Sequence, residues 1–307
     1  MDMDMKQPKY NYKSVDEKLM GLKALVIMLC VVIIAAGLIG GVCGYKVVRK
    51  ERRLEQDLSA LTEKHKQDVS SLLGTQEYLT EKLNQTTNYY EYQIDYSDET
   101  FNYLAIGNSL TFIPSWGRGI CSTKRDNDYV NLVAKALKTN NKINPENKNV
   151  KFYAYNFSPW ERASDRNSAD DLLDVYLSEK LDLITIQLSE NCISTYKLTE
   201  DLEGLVDYVH EKAPDAKILL IGNFWDQNKS NCQKEAAKAK NIPFADLSPI
   251  IGDTSYQSKP GTICEGPLNP DGSEGEKIIV SEAAAGHPED SGMQYIADAV
   301  IKALNES

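Results

Sequence analysis

Two polar side chains stand where enzymes built on parallel sheets commonly place catalytic groups. Ser109 follows the apolar segment Tyr103–Ile106 after Gly107, whose lack of a side chain permits a tight turn. Asn191 follows a second apolar segment, Leu183–Gln187, and an asparagine there can donate its side-chain N–H to a developing oxyanion. A serine hydroxyl beside such a donor suits covalent acyl transfer. Taken singly, each residue is more commonly a turn or capping residue.

His287 is the histidine whose local sequence suits a general base. It lies in a loop bounded by glycine and proline, directly before a predicted C-terminal helix. His65 falls in a charged helical segment, and His210 lies in an amphipathic helix where a surface role is expected. A restrained loop histidine can accept a proton from a serine hydroxyl. We therefore predict Ser109 as the nucleophile and His287 as its base.

The segments that must position these residues alternate between apolar strands and amphipathic helices. The predicted strands are Tyr103–Ile106, Phe152–Asn156, Leu183–Gln187, Ile218–Gly222 and Pro243–Leu247. The predicted helices are Tyr129–Lys138, Ala169–Leu177, Leu202–Lys212, Gln233–Lys240 and Gly292–Leu304. This alternation predicts a parallel sheet of about five strands with helices on both faces, which is a flavodoxin-like three-layer α/β/α fold.

Active sites of such sheets collect at the carboxyl ends of the strands. That rule predicts that four segments converge: Gly107–Thr111, Asn156–Glu161, Leu188–Asn191 and Asn223–Asp226.

The N-terminal part has a different composition from this domain. The uncharged run Ala24–Tyr45 is long enough to cross a membrane as a helix, and it exceeds the apolar region of most signal peptides. A cleaved signal is the alternative. We predict a cytoplasmic tail at 1–23, a single-pass anchor at 24–45, a helical stalk at 46–95 and the catalytic domain at 96–307. Basic residues flank the run on both sides, so the charge count does not fix the orientation. We expect the domain outside the cell membrane.

The predicted stalk and anchor are compatible with a homodimer. Five leucines follow heptad spacing, but polar residues interrupt the register, which favours an amphipathic helix over a strong coiled coil. The leucines are Leu54, Leu58, Leu61, Leu72 and Leu79. Two Gly-x-x-x-Gly patterns in residues 37–44 would let two spans approach closely, although glycine is frequent in membrane helices anyway.

Composition narrows the partners and cofactors. The formal net charge is −11, and no basic stripe interleaves with aromatic residues, so we expect no nucleic-acid partner. Four cysteines of the domain show no metal-ligand spacing, which argues against zinc. They are Cys121, Cys192, Cys232 and Cys264. These four cysteines could form two disulfides, in any of three pairings, or remain free thiols, and the sequence does not distinguish these alternatives.

These segments together resemble the SGNH (GDSL-like) hydrolase superfamily over about Asn102–Leu304. The motifs G-N-S at 107–109, S-E-N at 189–191 and H-P at 287–288 occur in the family's order. Asp128–Leu132 and Asn156–Glu161 are similar to elements of a bacterial, membrane-anchored subgroup.

The resemblance implies the SGNH hydrolase fold and an acyl-enzyme on Ser109, with neither cofactor nor metal. The backbone N–H of Ser109 and the side chain of Asn191 would form the oxyanion hole. The substrate would be an O-acyl ester of a small molecule or a surface glycan, with either water or a sugar as acceptor.

Three departures from the family pattern bear on this expectation. The family usually has a glycine as an oxyanion donor in a conserved segment between the G-N-S and S-E-N motifs. Here that place is taken by Phe157, Ser158 and Pro159, which follow Asn156. Ser189 replaces another glycine that is usual in the family. Ala284 occupies the place of the usual triad aspartate. The site is then either a Ser–His dyad or one that recruits Glu282 or Asp290 as the orienting acid. The alternative function is a catalytically weak or inactive SGNH-fold surface binding or scaffold protein.

Overall fold

The computed structural model describes residues 12–87 and 94–307. Its internal contacts divide the chain into two compact units, residues 1–66 and 67–307. The second unit carries the sheet and every candidate site residue. It begins earlier than the domain boundary predicted at residue 96.

A single helix, α1 (Tyr12–Thr87), occupies the place of the predicted anchor and stalk. The predicted anchor at 24–45 falls on residues most of whose side chains lie outside the described part of the chain. Within the described residues, no helix is both long and apolar enough to cross a membrane.

The C-terminal turns of α1 belong to the second unit and contact the rest of it through polar groups. Tyr78 donates to a carboxylate oxygen of Asp171 over 3.3 Å, and Lys82 forms an ion pair with the same carboxylate at 2.8 Å. Gln85 donates to a backbone carbonyl over 3.0 Å. Leu72 and Leu79 remain exposed. These two leucines of the predicted stalk therefore take no part in the contact.

The predicted parallel sheet is confirmed. Its five strands have the order β2-β1-β3-β4-β5, and every pairing is parallel. They are β1 (Thr100–Gly107), β2 (Asn149–Asn156), β3 (Leu183–Gln187), β4 (Lys217–Ile221) and β5 (Phe244–Ala245). Gly107 pairs in register with Asn156 and with Gln187. Three of the predicted site segments therefore leave the sheet at one level.

Helices cover both faces of the sheet. On one side lie α2 (Tyr129–Leu137) and α6 (Asp290–Glu306), and on the other lie α4 (Leu198–Lys212) and α5 (Gln227–Ala239). The period of two in β1 explains the layering, since Leu104 and Ile106 join one apolar cluster whereas Tyr103 and Ala105 join the other. The three-layer α/β/α architecture follows.

Three local features differ from the predicted elements. The predicted helix Ala169–Leu177 is instead a 3₁₀-helix, Arg166–Leu173. A short helix, α3 (Ser158–Arg162), follows β2 directly. A small antiparallel pair, β6 (Ile263–Cys264) and β7 (Ile278–Ile279), precedes the histidine loop.

Candidate active site

The turn after β1 presents Ser109 with its hydroxyl and its backbone N–H unengaged. A Cβ on Gly107 would lie 1.9 Å from Thr111 Oγ1 and 2.8 Å from the carbonyl oxygen of Gln187, so only glycine fits there. The Asn108 side chain accepts the N–H of Leu110 over 3.1 Å and closes the turn. Within the described chain, neither the half-buried Ser109 hydroxyl nor its backbone N–H has a hydrogen-bond partner. Both are therefore available to a substrate.

Glu161 is the buried centre to which the strand-end loops are tied. Its Oε1 accepts from Asn108 Nδ2 over 3.0 Å and from the backbone N–H groups of Ser189 and Asn191 over 2.6 and 3.2 Å. Its Oε2 accepts from Asn191 Nδ2 over 2.5 Å. The Glu161 carboxylate is thus hydrogen-bonded to the loops after β1 and β3. Glu161 itself lies on α3, which follows β2.

Glu190 connects the fourth segment. Its Oε2 accepts from Asn108 Nδ2 over 2.8 Å, and its Oε1 accepts from the backbone N–H of Phe224 over 3.2 Å. All four segments predicted to converge therefore meet in one hydrogen-bonded group. Both glutamates lie inside the segments predicted to converge. The local sequence assigns neither a role, because each glutamate acts through hydrogen bonds between loops that are distant in the chain.

Ser189 occupies a backbone position that favours glycine. Its φ is +110°, and the side chain is fully buried. Asn223 Nδ2 donates to the Ser189 hydroxyl over 2.8 Å. This hydrogen bond fixes the Ser189 side chain, and it ties the loop after β3 to the loop after β4.

The three residues after Asn156, where the resemblance implies a glycine, offer no free backbone N–H to an oxyanion. The N–H of Phe157 donates to the Gly107 carbonyl over 2.5 Å, and the N–H of Ser158 donates to the Asn156 side chain over 3.1 Å. Pro159 has no N–H. Of the two predicted oxyanion donors, the Ser109 N–H has no hydrogen-bond partner in the described chain, and Asn191 Nδ2 gives one of its two N–H groups to Glu161.

The Nδ1 atom of His287 is held as a hydrogen-bond donor. It lies 2.8 Å from the carbonyl oxygen of Ala284. A carbonyl can only accept, so Nδ1 carries a proton, and in the neutral ring the lone pair that a base requires is on Nε2. Burial lowers the pKa of His287 from 6.5, against an opposing effect of the Ala284 hydrogen bond. The edge of Trp225 packs on the ring, with centroids 5.2 Å apart.

Neither carboxylate considered as an orienting acid bonds to the imidazole. Glu282 is exposed. The Asp290 carboxylate accepts from the backbone N–H and hydroxyl of Thr123 and from Asn127 Nδ2, which anchors the start of α6. The residue at the family's acid position, Ala284, supplies its carbonyl instead.

No direct hydrogen bond connects the side chains of Ser109 and His287 in this structure. Their loops are instead connected through hydrogen bonds to a third segment. The Ile120 N–H donates to the Ser109 carbonyl over 2.9 Å. The next residue, Cys121, donates its thiol to the Ala284 carbonyl over 3.2 Å. The loops of nucleophile and base are therefore held to one intervening segment.

A cavity of about 520 Å³ lies beside Glu161. Its wall includes Arg162, Ile193, Tyr196 and Lys197. Neither Ser109 nor His287 lines it. The described residues hold no group of three or more His, Cys, Asp or Glu side chains that could bind a metal ion.

Several solved structures are similar to this one at low identity. An acetyl xylan esterase from Geobacillus stearothermophilus is 16% identical, with a TM-score of 0.41, over 68% of this chain and 97% of that one. The salicylyl-acyltransferase SsfX3 of a tetracycline biosynthetic pathway is 13% identical, with a TM-score of 0.41, over 67% and 55%. A two-domain esterase active on acetylated mannans is 20% identical, with a TM-score of 0.43, over 68% and 50%.

Comparison with protein-family models and with curated proteins finds no match.

Proposed function

We propose that this chain is a serine esterase or acyl transferase of the SGNH type, with Ser109 as nucleophile and His287 as base. The observation that carries the proposal is the convergence of the four strand-end segments on Glu161 and Glu190, beside a serine whose hydroxyl and N–H are both unengaged. The fixed tautomer of His287 supports the same assignment.

The reaction follows from these groups. Ser109 Oγ attacks the ester carbonyl carbon while its proton passes to His287 Nε2. The oxyanion accepts from the Ser109 N–H and from Asn191 Nδ2. The tetrahedral intermediate then expels the alcohol, which takes the proton from His287, and the acyl group stays on Ser109. Water or a sugar hydroxyl attacks the acyl-enzyme, His287 accepts its proton, and that proton returns to Ser109 Oγ.

The dyad sets the expected rate. A carbonyl oxygen fixes the imidazole tautomer but carries no full charge, so it stabilises the imidazolium less than a carboxylate would. Because no hydrogen bond joins Ser109 to His287 before substrate binds, the two must also approach in the complex. Turnover should be modest.

If the site is a Ser–His dyad, neither acidic residue near His287 in the sequence should be essential for catalysis. Glu282→Gln and Asp290→Asn should each lower kcat by less than about tenfold, against about 10⁴ for a true triad acid. Asp290→Asn should also destabilise the fold, because Asp290 holds Thr123 and Asn127. Steady-state kinetics at a temperature where each variant is folded is the measurement. A loss near 10⁴ in either variant would identify a relocated acid.

The first experiment on the proposal is hydrolysis of p-nitrophenyl acetate by the purified full-length protein, with Ser109→Ala prepared in parallel. Hydrolysis by the wild-type chain that disappears in the variant supports the esterase. Equal rates from the two proteins exclude Ser109 as the nucleophile.

The cavity beside Glu161 is our candidate for binding the sugar part of a glycan ester. Ile193, Tyr196 and Lys197 follow Asn191 closely in the chain, and the exposed Tyr196 ring offers an apolar face among polar groups. Tyr196→Ala should lower kcat/KM for an acetylated oligosaccharide about tenfold and affect p-nitrophenyl acetate much less. Equal losses on both substrates would contradict a glycan subsite.

We also propose that residues 24–45 anchor the chain in the cell membrane with the second unit outside. The support is the length of the uncharged run in the sequence. Protease treatment of intact cells should release a fragment containing the second unit, and protection of that unit would reverse the orientation. Leu54, Leu58 and Leu61 are exposed on α1 and could pair two copies in a homodimer.

The second candidate is a binding or scaffold protein that kept this fold without turnover. The missing Ser109–His287 hydrogen bond and the alanine at position 284 favour it. An intact fold that neither hydrolyses p-nitrophenyl acetate nor reacts with a serine probe would support this alternative.

A further inference from the structure

Glu161 and Glu190 form a carboxylate pair with no cation bonded to either. Asn108 Nδ2 donates to both, over 3.0 and 2.8 Å. Glu161 is 2% exposed and Glu190 is partly buried. In the described part of the chain neither carboxylate forms a salt bridge, and Lys229 on α5 donates only to the backbone carbonyl of Glu190. Two such charges side by side cannot both persist at low cost.

The hydrogen-bond pattern distinguishes the two carboxyl groups. Glu161 accepts four N–H groups, three at Oε1 and one at Oε2, from Asn108, Ser189 and Asn191. Three donors crowd Oε1, and Oε2 has one donor, so a proton on Glu161 could only go to the second lone pair of Oε2 and would weaken four hydrogen bonds to a carboxylate. Glu190 accepts only one N–H at each oxygen. A proton is therefore accommodated on Glu190 without displacing a donor.

We propose that the pair shares one proton near neutral pH, that Glu190 carries it, and that ionised Glu161 is the positioning residue that orients Asn191 and the Ser109 turn. Burial raises the pKa of Glu161, and its hydrogen bonds from Asn191, Asn108 and Ser189 oppose that rise. Burial and the charge of Glu161 raise the pKa of Glu190 to about 7. The activity part of the inference rests on the proposed esterase, whereas the shared proton does not.

Few other charged or titratable groups face the pair. Arg166 lies near Cys192 and is paired with Asp201. Burial and then the charge of Glu161 raise the pKa of Cys192 to about 12, so that the thiol stays neutral. Tyr129 lies near Glu190, and burial raises its pKa well above 10, so it is neutral as well. None of these neighbours changes charge near pH 7. Burial also raises the pKa of Asp170 to about 7, so only the part of the pH dependence that is lost in Glu190→Gln is assigned to the pair.

The shared proton predicts how stability depends on pH. The pKa of Glu190 is higher in the folded state than in the unfolded chain, so its contribution to stability is complete below the unfolded value and is lost as pH rises through about 7. Ionisation also brings a second negative charge to Asn108, next to Ser109, which opposes the oxyanion. Activity should therefore rise with deprotonation of His287 and fall with ionisation of Glu190.

Reciprocal glutamine variants of the full chain test the proposal. Glutamine has the neutral charge of a protonated glutamate, but its NH₂ group replaces one of the two accepting oxygens. Glu190→Gln should therefore lower the thermal midpoint somewhat at low pH, flatten its fall between about pH 5 and 8, and remove the descending limb of kcat against pH. Glu161→Gln directs an NH₂ group at N–H donors, so it should lower the midpoint at every pH. It should also lower kcat for p-nitrophenyl acetate at least about tenfold more than Glu190→Gln does, with KM little changed.

Similar losses in both variants, or a midpoint in Glu190→Gln that falls with pH as in the wild type, would overturn the inference. If Glu161→Gln does not fold, the two pH series on Glu190→Gln still decide whether Glu190 carries the proton. If the wild-type protein hydrolyses no ester, the esterase fails, while the midpoint series alone tests the shared proton.

Discussion

Replacing Ser109 with alanine is expected to lower ester hydrolysis by at least about 10³-fold, to the level of the residual oxyanion-hole catalysis. The nucleophile is lost, and the Thr111 hydroxyl in the same turn is hydrogen-bonded to the Tyr129 hydroxyl over 2.7 Å. Because the Ser109 hydroxyl makes no hydrogen bond in the described structure, its removal should change the free energy of unfolding by less than about 0.5 kcal/mol. Kinetics and thermal unfolding of the same preparations measure both quantities.

The matched control is His287→Ala alone and together with Ser109→Ala. Nucleophile and base act in one proton transfer, so the double variant should be no slower than either single variant. His287→Ala should cost some stability because the ring loses Trp225 and the Ala284 carbonyl. Multiplicative losses in the double variant would mean that the two residues act independently, which the dyad does not allow.

Asn191→Ala is the second large effect, an expected fall in kcat of about 10²–10³ with little change in KM. The amide has two N–H groups, of which Glu161 fixes one and the oxyanion would accept the other. Removal also leaves Glu161 short of a donor, so the fold should lose about 1–3 kcal/mol.

Asn144→Ala separates these two consequences. Asn144 is a buried asparagine that donates to the carbonyls of Leu137 and Lys148, away from the strand-end loops. The variant should lose a comparable free energy of unfolding and keep its kcat. If Asn191→Ala loses stability alone, at a temperature where it remains folded, Asn191 is a loop residue and not an oxyanion donor.

Local patterns in the sequence predicted the sheet because each strand is a short apolar run ending in a polar turn. The strand Leu183–Gln187 was predicted with its observed bounds. The convergence of the four loops followed from one rule about parallel sheets. What local pattern cannot supply is the hydrogen bonding between loops, so Glu161 and Glu190 went without a role.

Two further features lay beyond the sequence for different reasons. Within the second unit, the last turns of α1 are held by Tyr78, Lys82 and Gln85, and such polar contacts leave no apolar periodicity in the sequence. At position 284 the sequence reveals only that the acid is absent. The structure puts a backbone carbonyl in its place, a group that every residue type possesses.

Labelling of the purified full-length protein with a fluorophosphonate, followed by peptide mapping, tests the central claim most directly. An activated serine attacks the phosphorus and keeps the probe covalently. The account predicts one labelled peptide, with the adduct on Ser109, and loss of labelling in Ser109→Ala and His287→Ala while both variants stay folded. An adduct on another serine, or labelling that persists in Ser109→Ala, would contradict Ser109 as the nucleophile.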